Sequence, residues 1–169
     1  MKLWRKARAW FWHRLGVSAR CRFTWRIEKY RGQAAVDARQ PYEVLERGPN
    51  LMLNVGIGEV LDLAIGVAGN VFNKTNSRIR AGTGTTAADP TDTDIQAHLA
   101  TATADSVART DQTVLVKATF AAGVGTGTWQ EVVWDNKTGG TEALCRLVYN
   151  MGTKAAGDIW ITNLSWTMS

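Results

Sequence analysis

From residue 113 to the C-terminus, apolar and polar residues alternate with a period of two. No other feature constrains the chain as much, because only a β-strand sends alternate side chains to one face. The pattern predicts strands over 113–120, 128–135, 142–149 and 158–168. Val114, Val116, Ala118 and Phe120 share one face of the first, and Trp160, Thr162, Leu164, Trp166 and Met168 share one face of the last. Turn residues fill the links at 121–127, 136–140 and 150–157, which are too short for crossover helices and therefore predict antiparallel hairpins.

Earlier in the chain, Phe23, Trp25 and Ile27 alternate with polar residues, predicting a strand over 22–30. A loop over 31–41 then leads to a returning strand over 42–46, which makes a hairpin. After Gly48-Pro49-Asn50 a helix is predicted, with Asn54 as its cap and Ile57, Val60, Leu61, Ala64 and Ile65 as a buried stripe, ended by Gly66 and Gly69. A short strand follows over 77–82. Asp94 or Thr93 is expected to cap a short helix over 95–101. The fold class expected is mainly β: an antiparallel β-sandwich, jelly-roll or Ig-like, with one or two short helices and a basic, helical N-terminal arm. Residues 1–20 form the arm and 21–169 the sandwich domain.

Charge separates the two parts. Residues 1–32 hold ten Lys and Arg against the single acid Glu28, a local charge of +9, while the remaining 137 residues carry −4. Residues 2–15 are good helix formers that interleave basic and aromatic side chains. The arm's candidate contact residues are Leu3, Trp4, Arg5, Lys6, Arg8, Trp10, Phe11, Trp12 and Arg14. Four placements compete: packing on a neighbouring protein subunit, lying on a membrane surface, touching packaged nucleic acid through its phosphates, or folding back on its own domain. The basic residues interrupt any signal-peptide core, and no stretch reaches the roughly 18 apolar residues of a membrane span.

No residue pattern here requires catalysis, metal or cofactor, so the expectation is a protein that is not an enzyme. Asp89, Asp92 and Asp94 place three carboxylates within six residues, yet lack the glycine turn and distal Glu of a calcium loop, which favours a polar capping segment. The run Gly123-Val124-Gly125-Thr126-Gly127 opens no helix and reads as a hairpin turn, not a phosphate cradle. His13 and His98, together with Cys21 and Cys145, are too scattered to suggest a metal centre. Both cysteines are expected as thiols. Trp129, Trp134, Trp160 and Trp166 are expected in the sheet interface.

Several stretches resemble a family of small tailed-bacteriophage virion proteins, described as head-decoration, tail or fibre-associated components. Residues 51–63, Leu-Met-Leu-Asn-Val-Gly-Ile-Gly-Glu-Val-Leu-Asp-Leu, are similar to a family run L-x-N-E-G-hydrophobic-N-x-L-L-D, with Val55 and Gly56 standing where the family has Glu-Gly. Residues 77–88 are similar to its Y-I-G-x-G-x-x-x-A motif, and 118–120, 129–136 and 151–162 resemble its later strands. The resemblance runs from about residue 22 to 169 and implies a virion location. It also implies a homo-oligomer whose partners are other virion proteins, capsid or tail subunits, with packaged DNA a weaker contact and a membrane not expected. The function expected is a non-enzymatic structural component attached to neighbouring subunits through the arm. The alternative is a lectin-like module of a phage fibre or head appendage that binds host glycans.

Overall fold

A computed structural model describes residues 21–67, 70–136 and 143–169. Within them the chain runs β1 (Cys21–Arg31), α1 (Gln33–Asp37), β2 (Glu43–Arg47), β3 (Leu51–Met52), α2 (Asn54–Ala64), β4 (Arg78–Gly82), β5 (His98–Thr110), β6 (Thr113–Phe120), β7 (Gly127–Asp135), β8 (Ala143–Lys154) and β9 (Asp158–Met168). The nine strands form one antiparallel sheet in the order β2-β1-β9-β6-β5-β4-β7-β8-β3.

The sheet curls at β5. That strand pairs with β4 through His98–Thr103 and then, after a register shift between Ala104 and Ser106, with β6 through Thr110. Bulges of this kind bend and twist a strand. Ala100, Ala102 and Ala104 face the interior there, and their small side chains leave room for rings arriving from both sides. Trp129 of β7 meets Trp160 of β9 at 4.8 Å and Phe120 of β6 at 4.6 Å. Trp134 of β7 lies 6.0 Å from Trp166 of β9, which in turn stacks on Phe23 of β1 at 5.9 Å. The β1-β9-β6 half thus shares a single core with the β4-β7-β8 half. All four C-terminal tryptophans are buried in it as expected, although Trp129 and Trp134, of opposite parity, share the inner face only because β7 shifts register between Trp129 and Glu131.

The outer faces are covered unequally. Over β1 and β9, α1 sets Ala35 and Val36 against Tyr30, Ile159 and Ile161, so both faces of β9 bury apolar residues there. The loop expected over 31–41 thus contains a helical turn. Over β7 and β8, the loop 83–97 and the start of α2 enclose Leu53, Ile95, Val133 and Ala143. Backbone bonds Asn54 N–H to Pro90 O (2.9 Å) and Ala143 N–H to Thr93 O (3.1 Å) hold that loop down.

Four expectations are corrected. The helix over 95–101 is absent: the chain becomes strand β5 at His98, and Asp94, whose carboxylate accepts the Ile95 N–H at 2.7 Å, is drawn to Arg80. Asn54 opens α2 without capping it, since Leu53 occupies the cap position and no side-chain bond closes that end. The stripe assigned to the α2 interior faces outward, with Ile57, Leu61 and Ile65 exposed by 40, 59 and 75% and Ala64 also exposed; Val60 alone of the five packs on the core. Gly56 explains the rotation. A Cβ there would stand 2.5 Å from Leu144 Cα, so the helix approaches β8 backbone to backbone along its glycine face. The expected stop at Gly66 is present, where Val67 N–H bonds Asp62 O at 2.8 Å and Gly66 N–H bonds Leu63 O at 3.3 Å in a Schellman arrangement.

The fourth correction concerns the links. Of the three links at 121–127, 136–140 and 150–157, only the one from β7 to β8 joins strands adjacent in the sheet, because β6 pairs with β5 and β9, and β9 pairs with β1 and β6. The glycine run at 123–127 is therefore no hairpin turn. It carries the chain across from one half of the curled sheet to the other. The 155–157 link returns it. Lys154, fully buried, ties both crossings together by donating to Ala121 O at 2.9 Å and Asp158 O at 2.5 Å, and burial lowers its pKa.

Candidate functional site

Leu3, Trp4, Arg5, Lys6, Arg8, Trp10, Phe11, Trp12 and Arg14 lie outside the described residues, as does His13. The described chain begins at Cys21, in register with Met168. Three features of the body remain to be weighed: a buried charge cluster, an apolar helix face and a polar cleft.

The charge cluster lies under the 83–97 loop. Glu131, fully buried on the outer face of β7, accepts hydrogen bonds from the Gly84 (2.9 Å), Ala97 (2.8 Å) and Gln96 (3.1 Å) amides and from Arg146 Nε (2.9 Å). Burial alone would raise its pKa, but those donors outweigh burial and hold the carboxyl below its ordinary range. Arg146 extends to Asp92 at 2.7 Å and Thr86 O at 3.1 Å. Beside it, Asp135 receives Arg78 at 2.7 Å and Arg80 at 2.5 Å, and Arg80 also pairs with Asp94. Asp92 and Asp94, two of the three carboxylates weighed for calcium, thus each hold an arginine. The cluster clamps a loop onto a sheet, and each of its three arginines is paired with carboxylates of the protein. Among the described residues no group of three or more His, Cys, Asp or Glu converges as a metal set. His98 sits on β5, its Nε2 2.8 Å from Thr101 Oγ1. Cys21 and Cys145 are free thiols, and burial pushes the Cys145 thiol up to about 12.

The apolar face belongs to α2. Ile57, Leu61 and Ile65 recur every fourth residue, and Val67 and Val71 of the following segment are exposed as well. This surface lies at the Cys21 end of the sheet. Gly56 meets Leu144, and Asn136 donates to Glu59 at 3.1 Å. The Phe72 ring lies tilted, 5.0 Å from Trp134, which leads through Trp166 to Phe23 near the start of β1.

The cleft lies at the opposite end, where β1 finishes, β2 begins and the β8–β9 link turns. It encloses about 730 Å3. Its floor is a buried cation: Lys29, 3% exposed, donates to Met151 O at 2.6 Å, pairs with Glu43 at 2.9 Å and stands 4.7 Å over the Trp160 ring. On the rim Tyr42, 42% exposed, donates its hydroxyl to Asp158 Oδ2 at 3.0 Å and accepts from Trp160 Nε1 at 3.3 Å. Burial, together with the Asp158 carboxylate, raises the phenol pKa against the opposing Trp160 contact, so Tyr42 stays a protonated donor. Arg31 lies 5.1 Å from the Tyr42 ring centroid. Gly32, Gly152, Thr153, Ala155 and Gly157 complete the lining. Sequence reading missed this site because Tyr42 and Asp158 stand 116 residues apart and meet only through the pairing of β1 with β2 and β9. Its local signal is limited to glycines beside aromatic and acidic residues.

No family profile matches this chain, and neither the curated proteins nor the solved structures yield a match.

Proposed function

We propose that the protein is a non-enzymatic structural component of a bacteriophage virion, attached to neighbouring capsid or tail subunits through its N-terminal arm. In this reading the curled sheet is a two-layer β-sandwich, and the arm, with nine candidate contact residues and no acid among residues 1–20, is the tether. The virion assignment draws on the motif resemblance at 51–63 and 77–88. The attachment role draws on one observation above all: the α2 stripe, an ordered apolar face left in solvent by a body whose core is otherwise enclosed. Exposed apolar faces of this kind mark association surfaces.

The occupant proposed for the stripe is the arm of a neighbouring copy. A 20-residue helix spans about 30 Å, and Cys21, where the described body begins, stands at the end where α2 lies. The arm's charge is positive, while α2 carries Asp62 and the buried Glu59, bonded to Asn136, and no Lys or Arg. Exchange of arms between copies would give a repeating homo-oligomer. A reconstruction of the virion tests the assignment. Density for this fold at symmetry-related positions, with arm residues on a neighbour's α2, is expected. Absence of the protein from purified particles overturns it.

A further inference from the structure

We infer that the cleft between the β1–β2 hairpin and the β8–β9 link is a binding site for a neutral oligosaccharide. The inference is independent of the virion reading, since it rests on the cleft alone. Lys29 and Arg31 face Glu43 and Asp158, so the formal charge of the lining cancels. Lys29 is already engaged by Glu43, and an anion would have to displace that carboxylate. A cation would meet the Arg31 guanidinium. A peptide would need pockets for aliphatic side chains, yet alanine is the only aliphatic residue in the lining. What remains is a ligand with many hydroxyls and an apolar C–H face.

The fixed groups suit such a ligand. The Tyr42 ring is held by two hydrogen bonds through its hydroxyl and offers an amphipathic surface at the rim. Glu43 spends one carboxylate oxygen on Lys29 while its side chain stays half exposed, leaving acceptor capacity directed at solvent. The Arg31 guanidinium lies over one face of the ring and supplies planar donors there. Gly32 and Gly157 present bare backbone, and a Cβ at either would meet open space. A cavity of this volume falls within the usual range for small-molecule sites. The supporting contacts are made within the protein itself, so the site is organised before any ligand arrives.

The experiment uses the full chain on a printed panel of neutral oligosaccharides with sialylated and phosphorylated counterparts, followed by titration of the best-bound glycan monitored by amide NMR. Tyr42→Ala removes the ring. Gly157→Phe fills the cleft at a position whose backbone has ordinary φ and whose Cβ is unobstructed. Tyr149→Ala is the control, because Tyr149 is a comparably exposed tyrosine that also faces an arginine, Arg47, but lies outside the cleft. Melting profiles confirm that each variant is folded. The expected result is binding of a neutral glycan that is insensitive to salt, weakened at least about tenfold by each cleft variant and unchanged by the control. Three results overturn the inference: no neutral glycan bound, binding confined to anionic glycans and lost at high salt, or neutral binding that survives Gly157→Phe.

Discussion

At the scale of single residues, Glu131 and Cys145 show how burial is either compensated or left to act. Glu131 is charged and dry, yet three amides and Arg146 keep it ionised. Replacing it with Gln leaves Arg146 with a misplaced donor in front of it, and breaking a buried pair in this way costs about 3–5 kcal/mol. The same residue sets an acid limb. Its folded-state pKa lies below the ordinary value of 4.5, so the unfolded chain takes up the proton first. Stability from this carboxylate is therefore present above pH 4.5 and lost as pH falls through the lower, folded value. Urea midpoints measured as the pH is lowered through that range should fall for the native chain, and Glu131→Gln should flatten the part due to this group. Cys145 has no such compensation. Its thiol at about 12 stays protonated and enclosed, so Ellman's reagent at mild alkaline pH should titrate Cys21 alone in the folded protein and both thiols after denaturation. A second thiol reacting at the native rate would show that β8 opens at Cys145.

At the scale of elements, the parts legible in the sequence are those whose own residues carry the signal. The strands β1, β6 and β9 announce themselves through large side chains on one face, and β6 and β9 start and stop where alternation predicts. Trp160 is the clearest case: wholly buried between Trp129 and the Lys29 ammonium, it should lose about 3–5 kcal/mol on replacement by Ala, read from chemical denaturation. β5 was not legible because its inward residues are alanines alternating with threonines, a weak apolar pattern that serves a bend rather than a core. The rotation of α2 was hidden for a different reason. Its apolar stripe predicts burial, but the contact that orients it is a tertiary one between Gly56 and the Leu144 backbone. Two substitutions separate these effects. Gly58→Ala, with nothing within reach of its Cβ, should stabilise by about 0.5–1 kcal/mol through helix propensity. Gly56→Ala should destabilise by about 1–3 kcal/mol by forcing the helix off β8. If Gly56→Ala is as benign as Gly58→Ala, the close approach does not set the rotation. The cleft was the least legible of all, since it exists only after three strands distant in sequence have paired.

At the scale of the whole molecule, the body has two unlike ends. Strand β1 connects them, entering at Cys21 beside the α2 surface and finishing at Arg31 beside the cleft, about 33 Å away over its 11 residues. If the arm is the tether proposed above, the molecule is held at its Cys21 end and presents the cleft outward. This polarity makes the arm separable from the fold. The core among the described residues is assembled from β-strands, and the proposed reading keeps residues 1–20 apart from it. Deleting 1–20 should therefore leave the melting temperature nearly unchanged while abolishing assembly onto the particle. Leu61→Asp, which charges the middle of the exposed α2 stripe without touching the core, should reproduce the assembly defect in a full-length, folded chain. Salt then identifies what the arm holds. A contact anchored by Leu3, Trp10 and Phe11 on an apolar helix face changes little as salt rises, whereas an arm held on DNA phosphates weakens steeply because counterions compete with its arginines and lysines. Unfolding of the truncated protein would make the arm part of the core. Assembly that persists in both variants would move attachment to another face of the sheet.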